Sequence, residues 1–355
     1  MLVKPSQDKA LAINQNRVHP SPFRPLPFLR NPHAQTLLGH LMPGPRLAFP
    51  TQMRTVALVD GDRLAVHENV PPDWRDGQGI VILVHGLGGS HRSGYMLRLA
   101  KRFLQHGCRV LRVDLRGAGA GAGLARQTYH AGCSGDLRAV VLDVHQRDPG
   151  SEMVLVGMSL GGNIVLKMAG EARSDPIPCL RAVAAIGPPI DLERCAALMA
   201  RRPFYDRYFA RNLVKQVRWH QRHFPEVILP DFPGRPTMRQ FDDLLTAPRW
   251  GFADALDYYR RASALPVLSQ VRVPAFILTA RDDPFIAVES FEDLSGAIGL
   301  EVHIAEHGGH LGFLGRDGAG GFRWAEGRVF EWVLRQFIVP ISITVEKHSP
   351  LEIHQ

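Results

Sequence analysis

The segment Gly157-Met158-Ser159-Leu160-Gly161 fits G-x-S-x-G, a pattern that sets one serine between two glycines. A bare match arises by chance in many chains, so the flanks decide its value. Here the apolar residues 153–156 precede it, and Gly162 with a helix-like stretch to residue 171 follows. That context predicts a sharp strand-to-helix turn that lifts the hydroxyl to the edge of a sheet, at the positive end of the helix dipole. The glycines let strand and helix approach closely. A serine hydroxyl is a weak nucleophile at neutral pH; it needs a base within hydrogen-bond reach, and the base needs an orienting group. The expected order along the chain is nucleophile, acid, histidine. Asp282-Asp283 follows the apolar residues 275–279, and His310 follows residues 302–305 within Gly308-Gly309-His310. Asp283 is the expected acid because it stands further beyond the strand, with Asp282 as the fallback. His310 is the expected base, whereas His303 falls inside a strand and is expected to be structural.

Attack on an ester carbonyl builds an oxyanion that backbone N–H groups must meet. One donor is expected at Leu160. The second is expected at Leu87, in His85-Gly86-Leu87-Gly88-Gly89 at the end of the apolar run Ile80–Val84. This loop lacks both the Lys-Ser/Thr of a phosphate-binding loop and the G-x-G-x-x-G spacing of a dinucleotide site. His85 is expected to brace the turn. A competing pattern, His303-Ile304-Ala305-Glu306-His307, reads as H-x-x-E-H. Zinc binding by that pattern requires both histidines on one helical face, and a strand running into a Gly-rich loop does not provide it. No metal and no cofactor are expected.

Short apolar runs at residues 80–84, 109–113, 153–156, 182–186, 275–279 and 302–305 are each followed by a turn and a helix-like stretch. This alternation predicts a mostly parallel sheet covered on both faces. Residues 55–59 and 64–67 flank Asp60-Gly61-Asp62, a hairpin signal. Near the C-terminus, Val329, Val333 and Phe337 with Phe330 and Leu334 form the apolar stripe of a helix. Residues 1–50 are Pro-rich and read as an arm packed on the core, residues 51–340 as the catalytic domain, and 341–355 as a polar tail. Residues 188–268 break the alternation and are expected to form a helical cap. Within it Tyr205, Tyr208, Phe209, Leu213 and Val217 fall at helical spacing, with Arg207, Arg211, Lys215 and Arg218 between them. Either the basic side is simply solvated, or it is a surface for anionic lipid headgroups.

Composition excludes some classes of function. Hydrophobic residues at 45% and charged residues at 21% are ordinary for a globular chain, which sets disorder aside. A formal charge of +8 is spread along the chain with no nucleic-acid motif beside it, so no nucleic-acid partner is expected. Four cysteines without metal or disulfide spacing suit a reducing compartment. No apolar run of about 18 residues is available to span a membrane, and the cytoplasm is the expected location. Nothing in the sequence speaks to oligomeric state.

Several segments together resemble the YheT-like branch of the α/β-hydrolases, which includes bacterial esterases and vertebrate abhydrolase-domain lipases. They are Asn31-Pro32-His33-Ala34-Gln35-Thr36, His85-Gly86-Leu87-Gly88-Gly89-Ser90, Asp114-Leu115-Arg116-Gly117, Tyr129-His130-Ala131-Gly132, Gly157-Met158-Ser159-Leu160-Gly161-Gly162-Asn163, Asp282-Asp283-Pro284 and Gly308-Gly309-His310-Leu311-Gly312-Phe313. The resemblance implies the α/β-hydrolase fold and hydrolysis of carboxylic esters, with acylglycerols, phospholipids or small esters as substrates. It places the triad on Ser159, Asp283 and His310. The loop Ala118-Gly119-Ala120-Gly121-Ala122-Gly123 departs from the branch in being richer in Gly and Ala. The same triad could serve acyl transfer to an alcohol or thiol, or cleavage of a thioester or amide. A binding protein without activity is the alternative from another class.

Overall fold

Five strands are buried at every residue, as mostly apolar runs predict for strands covered on both faces: β4 (Ile80–Val84), β5 (Arg109–Asp114), β6 (Met153–Met158), β7 (Leu180–Ile186) and β8 (Ala275–Ala280). The computed structural model describes residues 17–20, 23–292, 294, 299–318 and 321–338. The expected tail, 341–355, and the first 16 residues of the expected arm lie outside them. With β1 (Arg17–Pro20), β2 (Gln52–Ala57), β3 (Arg63–Asn69) and β9 (Leu300–Ala305), these strands form one nine-stranded sheet in the order β1-β9-β8-β7-β6-β4-β5-β3-β2. The β2-β3 and β3-β5 pairs are antiparallel and all others parallel.

The period of two along β4 sorts its side chains between two cores. Ile80, Ile82 and Val84 join Val140 and Val144 of α3 (Ser134–Arg147) and Ile164 of α4 (Leu160–Glu171) on one face. Val81 and Leu83 join Leu99 and Phe103 of α2 (Gly94–Gln105) and Val329, Trp332 and Val333 of α11 (Trp324–Ile338) on the other. The stripe expected on α11 is therefore the one that packs, with Phe330, Leu334 and Phe337 at its margin.

Between β7 and β8 the chain forms α5 (Leu192–Ala200), α6 (Pro203–Gln221), α7 (Met238–Phe241), a π-helical turn at Asp242–Thr246, α8 (Ala247–Arg249) and α9 (Ala255–Ala262). Leu213, Val214 and Val217 of α6 pack with Phe241 and Leu245 in a small core of their own, against which Leu87 rests. Ahead of the sheet's main run lies α1 (Pro32–Leu41), started by Asn31, whose side chain accepts from the His33 and Ala34 N–H groups, and by Pro32 in the first turn. No helix among the described residues is long and apolar enough to cross a membrane.

Arg116 ties the hairpin to the sheet. Its guanidinium takes both carboxylate oxygens of Asp136 at 2.7 and 2.8 Å, and also reaches Asp60 at 2.6 Å and Asp62 at 2.8 Å. Burial alone would lower the Arg116 pKa, but the Asp136 and Asp60 carboxylates outweigh it and raise it.

Candidate active site

β6 ends and α4 begins within two residues, and Ser159 makes the corner with φ 51° and ψ −124°. A positive φ is costly for a residue with a side chain, so the surroundings must impose it. Two close approaches do so. A Cβ on Gly157 would stand 2.4 Å from the Gly161 carbonyl oxygen, and one on Gly161 would stand 2.4 Å from the His85 carbonyl oxygen. Both glycines of the pattern are therefore required by contacts of the strand, the helix and the neighbouring turn. The corner is fixed further by the Ser159 N–H, which donates to the Ile186 carbonyl at 2.8 Å.

His310 Nε2 lies 2.8 Å from Ser159 Oγ, and His310 Nδ1 lies 2.8 Å from Asp283 Oδ2. The structure thus brings together three residues expected from the sequence to converge. A carboxylate can only accept, so Nδ1 carries the hydrogen and Nε2 is left with a lone pair toward the serine hydroxyl. Asp283 is buried, and its other oxygen accepts from the Phe285 N–H at 2.8 Å and the Ile286 N–H at 3.2 Å. Asp282 does something else. Its Oδ1 accepts from the Gly309 N–H at 2.9 Å and its Oδ2 lies 3.4 Å from His307 Nδ1, so it holds the loop that carries the histidine. Burial raises the Asp282 pKa, against the lowering effect of those two bonds.

The backbone of His310 is held from far along the chain, since its N–H donates to Thr36 Oγ1 at 2.9 Å. Gln35 beside it accepts from the Leu314 N–H at 2.6 Å and donates to the Leu29 carbonyl at 2.6 Å. These two residues of α1 were not singled out for the site by sequence reasoning. The signal was there in Asn31-Pro32-His33-Ala34-Gln35-Thr36, whose Asn-Pro start marks a helix.

The turn after β4 is filled in from several sides. The Gly86 N–H donates to Tyr95 Oη at 3.1 Å, the Gly88 N–H to Tyr129 Oη at 2.7 Å, and the Gly89 N–H to the Gly86 carbonyl at 3.0 Å. Among the described residues the Leu87 N–H has no such acceptor, and neither does the Leu160 N–H in the first turn of α4. His85 crosses beneath the turn. Its Nε2 accepts from the Leu115 N–H at 3.1 Å, so its Nδ1 donates to the Gly86 carbonyl at 2.7 Å. Burial lowers its pKa, which keeps the ring in the one-hydrogen form this bridge requires.

A second cluster, missed in the sequence, anchors the far end of that turn. Asp114 is fully buried; its Oδ1 accepts from the His91 N–H at 2.6 Å, and its Oδ2 from His91 Nδ1 at 2.7 Å, His67 Nε2 at 3.1 Å and the Ala120 N–H at 2.9 Å. Burial would raise the Asp114 pKa, but the histidine bonds hold it well below the carboxylate range. The two rings stack with centroids 3.4 Å apart. The ligand atoms of His67, His91 and Asp114 lie within 4.8 Å of one another, close enough for a metal ion. Yet Oδ2 already receives three N–H groups, so these residues satisfy one another. The other metal pattern is dispersed: His303 Nε2 lies 2.7 Å from Glu301 Oε1 within β9, and His307 faces Asp282 beyond it.

α6 places two aromatic rings against a third, Phe285, that packs on the histidine. Tyr205 and Phe209 pack edge-on against Phe285, with centroids 4.7 and 5.6 Å away, and Phe285 packs edge-on against His310 at 5.0 Å. Three aromatic rings thus pack on one another beside the imidazole that faces Ser159.

A nine-stranded, mostly parallel sheet with a serine at a strand-to-helix corner is the frame of one large class, and the sequence agrees. The profile of the α/β hydrolase fold matches residues 79–317, and the chain belongs to that family. Within it the similarity runs to the YheT-like branch. The chain is 29% identical over 319 residues, 88% of its own length and 92% of the relative's, to a putative esterase, YheT, of Escherichia coli (strain K12). It is 28% identical to a monoacylglycerol lipase of Saccharomyces cerevisiae, over 71% of this chain and 58% of that one. Among solved structures the Pyrococcus furiosus esterase Pf2001 superposes with a TM-score of 0.56 at 17% identity, covering 84% of this chain and 97% of that chain. That last likeness bears on the fold alone. Esterase- and lipase-like relatives support a hydrolase.

Proposed function

We propose that the chain is a serine carboxylic-ester hydrolase, with Ser159 as nucleophile, His310 as general base, Asp283 as the acid that orients it, and the Leu87 and Leu160 N–H groups as oxyanion donors. The observation that carries this reading is the single imidazole 2.8 Å from both the serine oxygen and the Asp283 carboxylate. In the first step Ser159 Oγ attacks the ester carbonyl carbon while His310 Nε2 takes the hydroxyl proton. The carbonyl oxygen gains the negative charge and meets the two free N–H groups. When the carbon–alkoxide bond breaks, His310 returns its proton to the leaving alcohol, and an acyl-Ser159 ester remains. Water then gives a proton to His310 and attacks the acyl carbon; the bond from that carbon to Ser159 Oγ breaks, His310 returns the proton to Oγ, and the acid is freed. Asp283 fixes the tautomer and faces the positive imidazolium. The apolar wall of Tyr205, Phe209 and Phe285 suits an acyl chain, so the substrate class is small or lipid esters, and no cofactor or metal takes part.

Hydrolysis of p-nitrophenyl and glycerol esters of graded chain length, with Ser159→Ala as control, tests the reading. Activity that vanishes in the control, together with labelling of Ser159 alone by a fluorophosphonate, is the expected result. Failure of the folded protein to label, or full activity in the control, would overturn it.

A further inference from the structure

Helix α1 is turned with its polar side inward. Its buried residues are Gln35, Thr36 and Gly39, while Leu37, Leu38 and Leu41 face solvent, Leu41 at 72% exposure. The reason lies in the site: Gln35 and Thr36 are committed to the loop carrying His310, and Gly39 abuts Gly312, where a Cβ would come within 2.8 Å of its Cα. The apolar side is left outside. α6 is similar. It directs Tyr205 inward and presents Phe204, at 72% exposure, and Tyr208 outward among Arg207, Arg211 and Lys215. With Arg235 these residues border an open groove of about 460 Å³. The two helices meet where His33 Nδ1 lies 2.9 Å from Tyr205 Oη, and Tyr205 in turn touches the ring that packs on His310.

Neither helix exposes an acidic residue. No Asp or Glu occurs between Asp8 and Asp60, or between Asp206 and Glu226. Asp206 is buried and accepts from the Met238 N–H at 2.8 Å. Arg207, Arg211, Lys215 and Arg235 have no ion-pair partner among the described residues, although arginines elsewhere on the surface commonly do. Exposed leucines and aromatics interleaved with unneutralised cations are the make-up of an element that lies in a membrane interface.

We propose that α1 and the outer face of α6 form a docking surface for an anionic lipid membrane, with Leu38, Leu41 and Phe204 entering the acyl boundary and Arg207, Arg211 and Lys215 meeting lipid phosphates. A second copy of this chain would bring the same positive charge to the contact, and a soluble polyanion would leave the leucines in water. The surface itself does not depend on the esterase reading; that it delivers lipid esters to the rim beside His310 does.

Cosedimentation with phosphatidylcholine vesicles, with and without about one-third phosphatidylglycerol, tests it. The chain should bind the mixed vesicles and release with added salt. Arg207→Gln/Arg211→Gln/Lys215→Gln should weaken binding about a hundred-fold, at roughly five-fold per cation near an anionic surface. Hydrolysis of a soluble short p-nitrophenyl ester should be unchanged in this variant. Leu41→Gln/Phe204→Ser should also lose vesicle binding while keeping any affinity for heparin. Equal binding to neutral vesicles, or vesicle binding that survives the Leu41/Phe204 change, would overturn the proposal. A dimer in solution that the Leu41/Phe204 change splits with no loss of vesicle binding would do so too. Vesicle binding without soluble-ester activity would sink the esterase reading and leave the surface standing.

Discussion

Two adjacent aspartates stand at the end of β8, and their side chains divide the work in a way that substitution separates. Asp283→Asn keeps the shape and retains an oxygen for the Phe285 and Ile286 N–H groups, which lie 2.8 and 3.2 Å from Oδ1. That choice turns the new amide nitrogen toward His310 Nδ1, where the native Oδ2 sits at 2.8 Å. Donor then faces donor, so the imidazole shifts its hydrogen to Nε2 and can no longer take the serine proton. The loss expected for a wrong tautomer with intact geometry is about 10⁴-fold in kcat, or roughly 5.5 kcal/mol of transition-state stabilisation. Asp282→Asn keeps an acceptor for the Gly309 N–H and gives up only the longer His307 contact, so its loss should stay below about tenfold. Steady-state hydrolysis of p-nitrophenyl butyrate reads both variants. KM should move little in either, because neither side chain belongs to the wall that would hold the acyl chain. If Asp282→Asn lost as much as Asp283→Asn, or Asp283→Asn kept near-native kcat, the assignment of the acid would be refuted.

Other variants probe the parts that hold these groups. Tyr129→Phe removes the acceptor of the Gly88 N–H; kcat should fall about tenfold, short of the 10²–10³ for outright loss of an oxyanion donor, with KM unchanged. An unchanged kcat would show that the turn does not need the tyrosine. Gly161→Ala forces a Cβ to within 2.4 Å of the His85 carbonyl oxygen, so activity should drop to the level of the Ser159→Ala control and the melting temperature should fall; a native melting curve would contradict the packing. Asp242, in the π-helical turn, is buried with its carboxylate accepting from Thr246 Oγ1 and Tyr259 Oη, and burial pushes its pKa up to about 7. Because an unfolded aspartate titrates near 4, the folded chain keeps a proton that the unfolded chain has lost between about pH 4 and pH 7, and stability from this residue falls as pH rises through that window. Asp242→Asn should therefore raise the melting temperature at pH 8 and leave it nearly unchanged at pH 4; equal effects at both would exclude the titration as cause.

What could be read from the sequence was whatever a local contact dictates. The glycines around Ser159 are needed because strand, helix and turn cross within a few residues, and that crossing leaves a pattern in five consecutive positions. Mostly apolar runs likewise declared the buried strands. α1 could not be read this way. It lies in a stretch read only as a Pro-rich arm, and the structure places Gln35, Thr36 and Gly39 inward while Leu37, Leu38 and Leu41 stay exposed. Hydrophobic periodicity locates a buried face only where burial is what orients the helix; here hydrogen bonds to a loop some 270 residues away decide. β1 escaped notice for a related reason, since Arg17-Val18-His19-Pro20 has no apolar run and is a strand through its pairing with β9.

The Gly/Ala-rich loop after Arg116 shows how such distant demands surface as odd composition. Gly119 has φ 52°, and a Cβ there would stand 2.4 Å from the Asp114 carboxylate. The loop must pass directly over that carboxylate so that the Ala120 N–H can reach it at 2.9 Å. Asp114 in turn grips both the backbone and the ring of His91, six residues beyond His85, which spans the start of the same turn. Between these two anchors the tyrosine hydroxyls take up the Gly86 and Gly88 N–H groups, so Leu87 is the position whose N–H stays open. An oxyanion donor is worth most when it need not reorganise as charge develops. The small residues of the loop over Asp114 are therefore part of the structure that holds the turn carrying the Leu87 N–H.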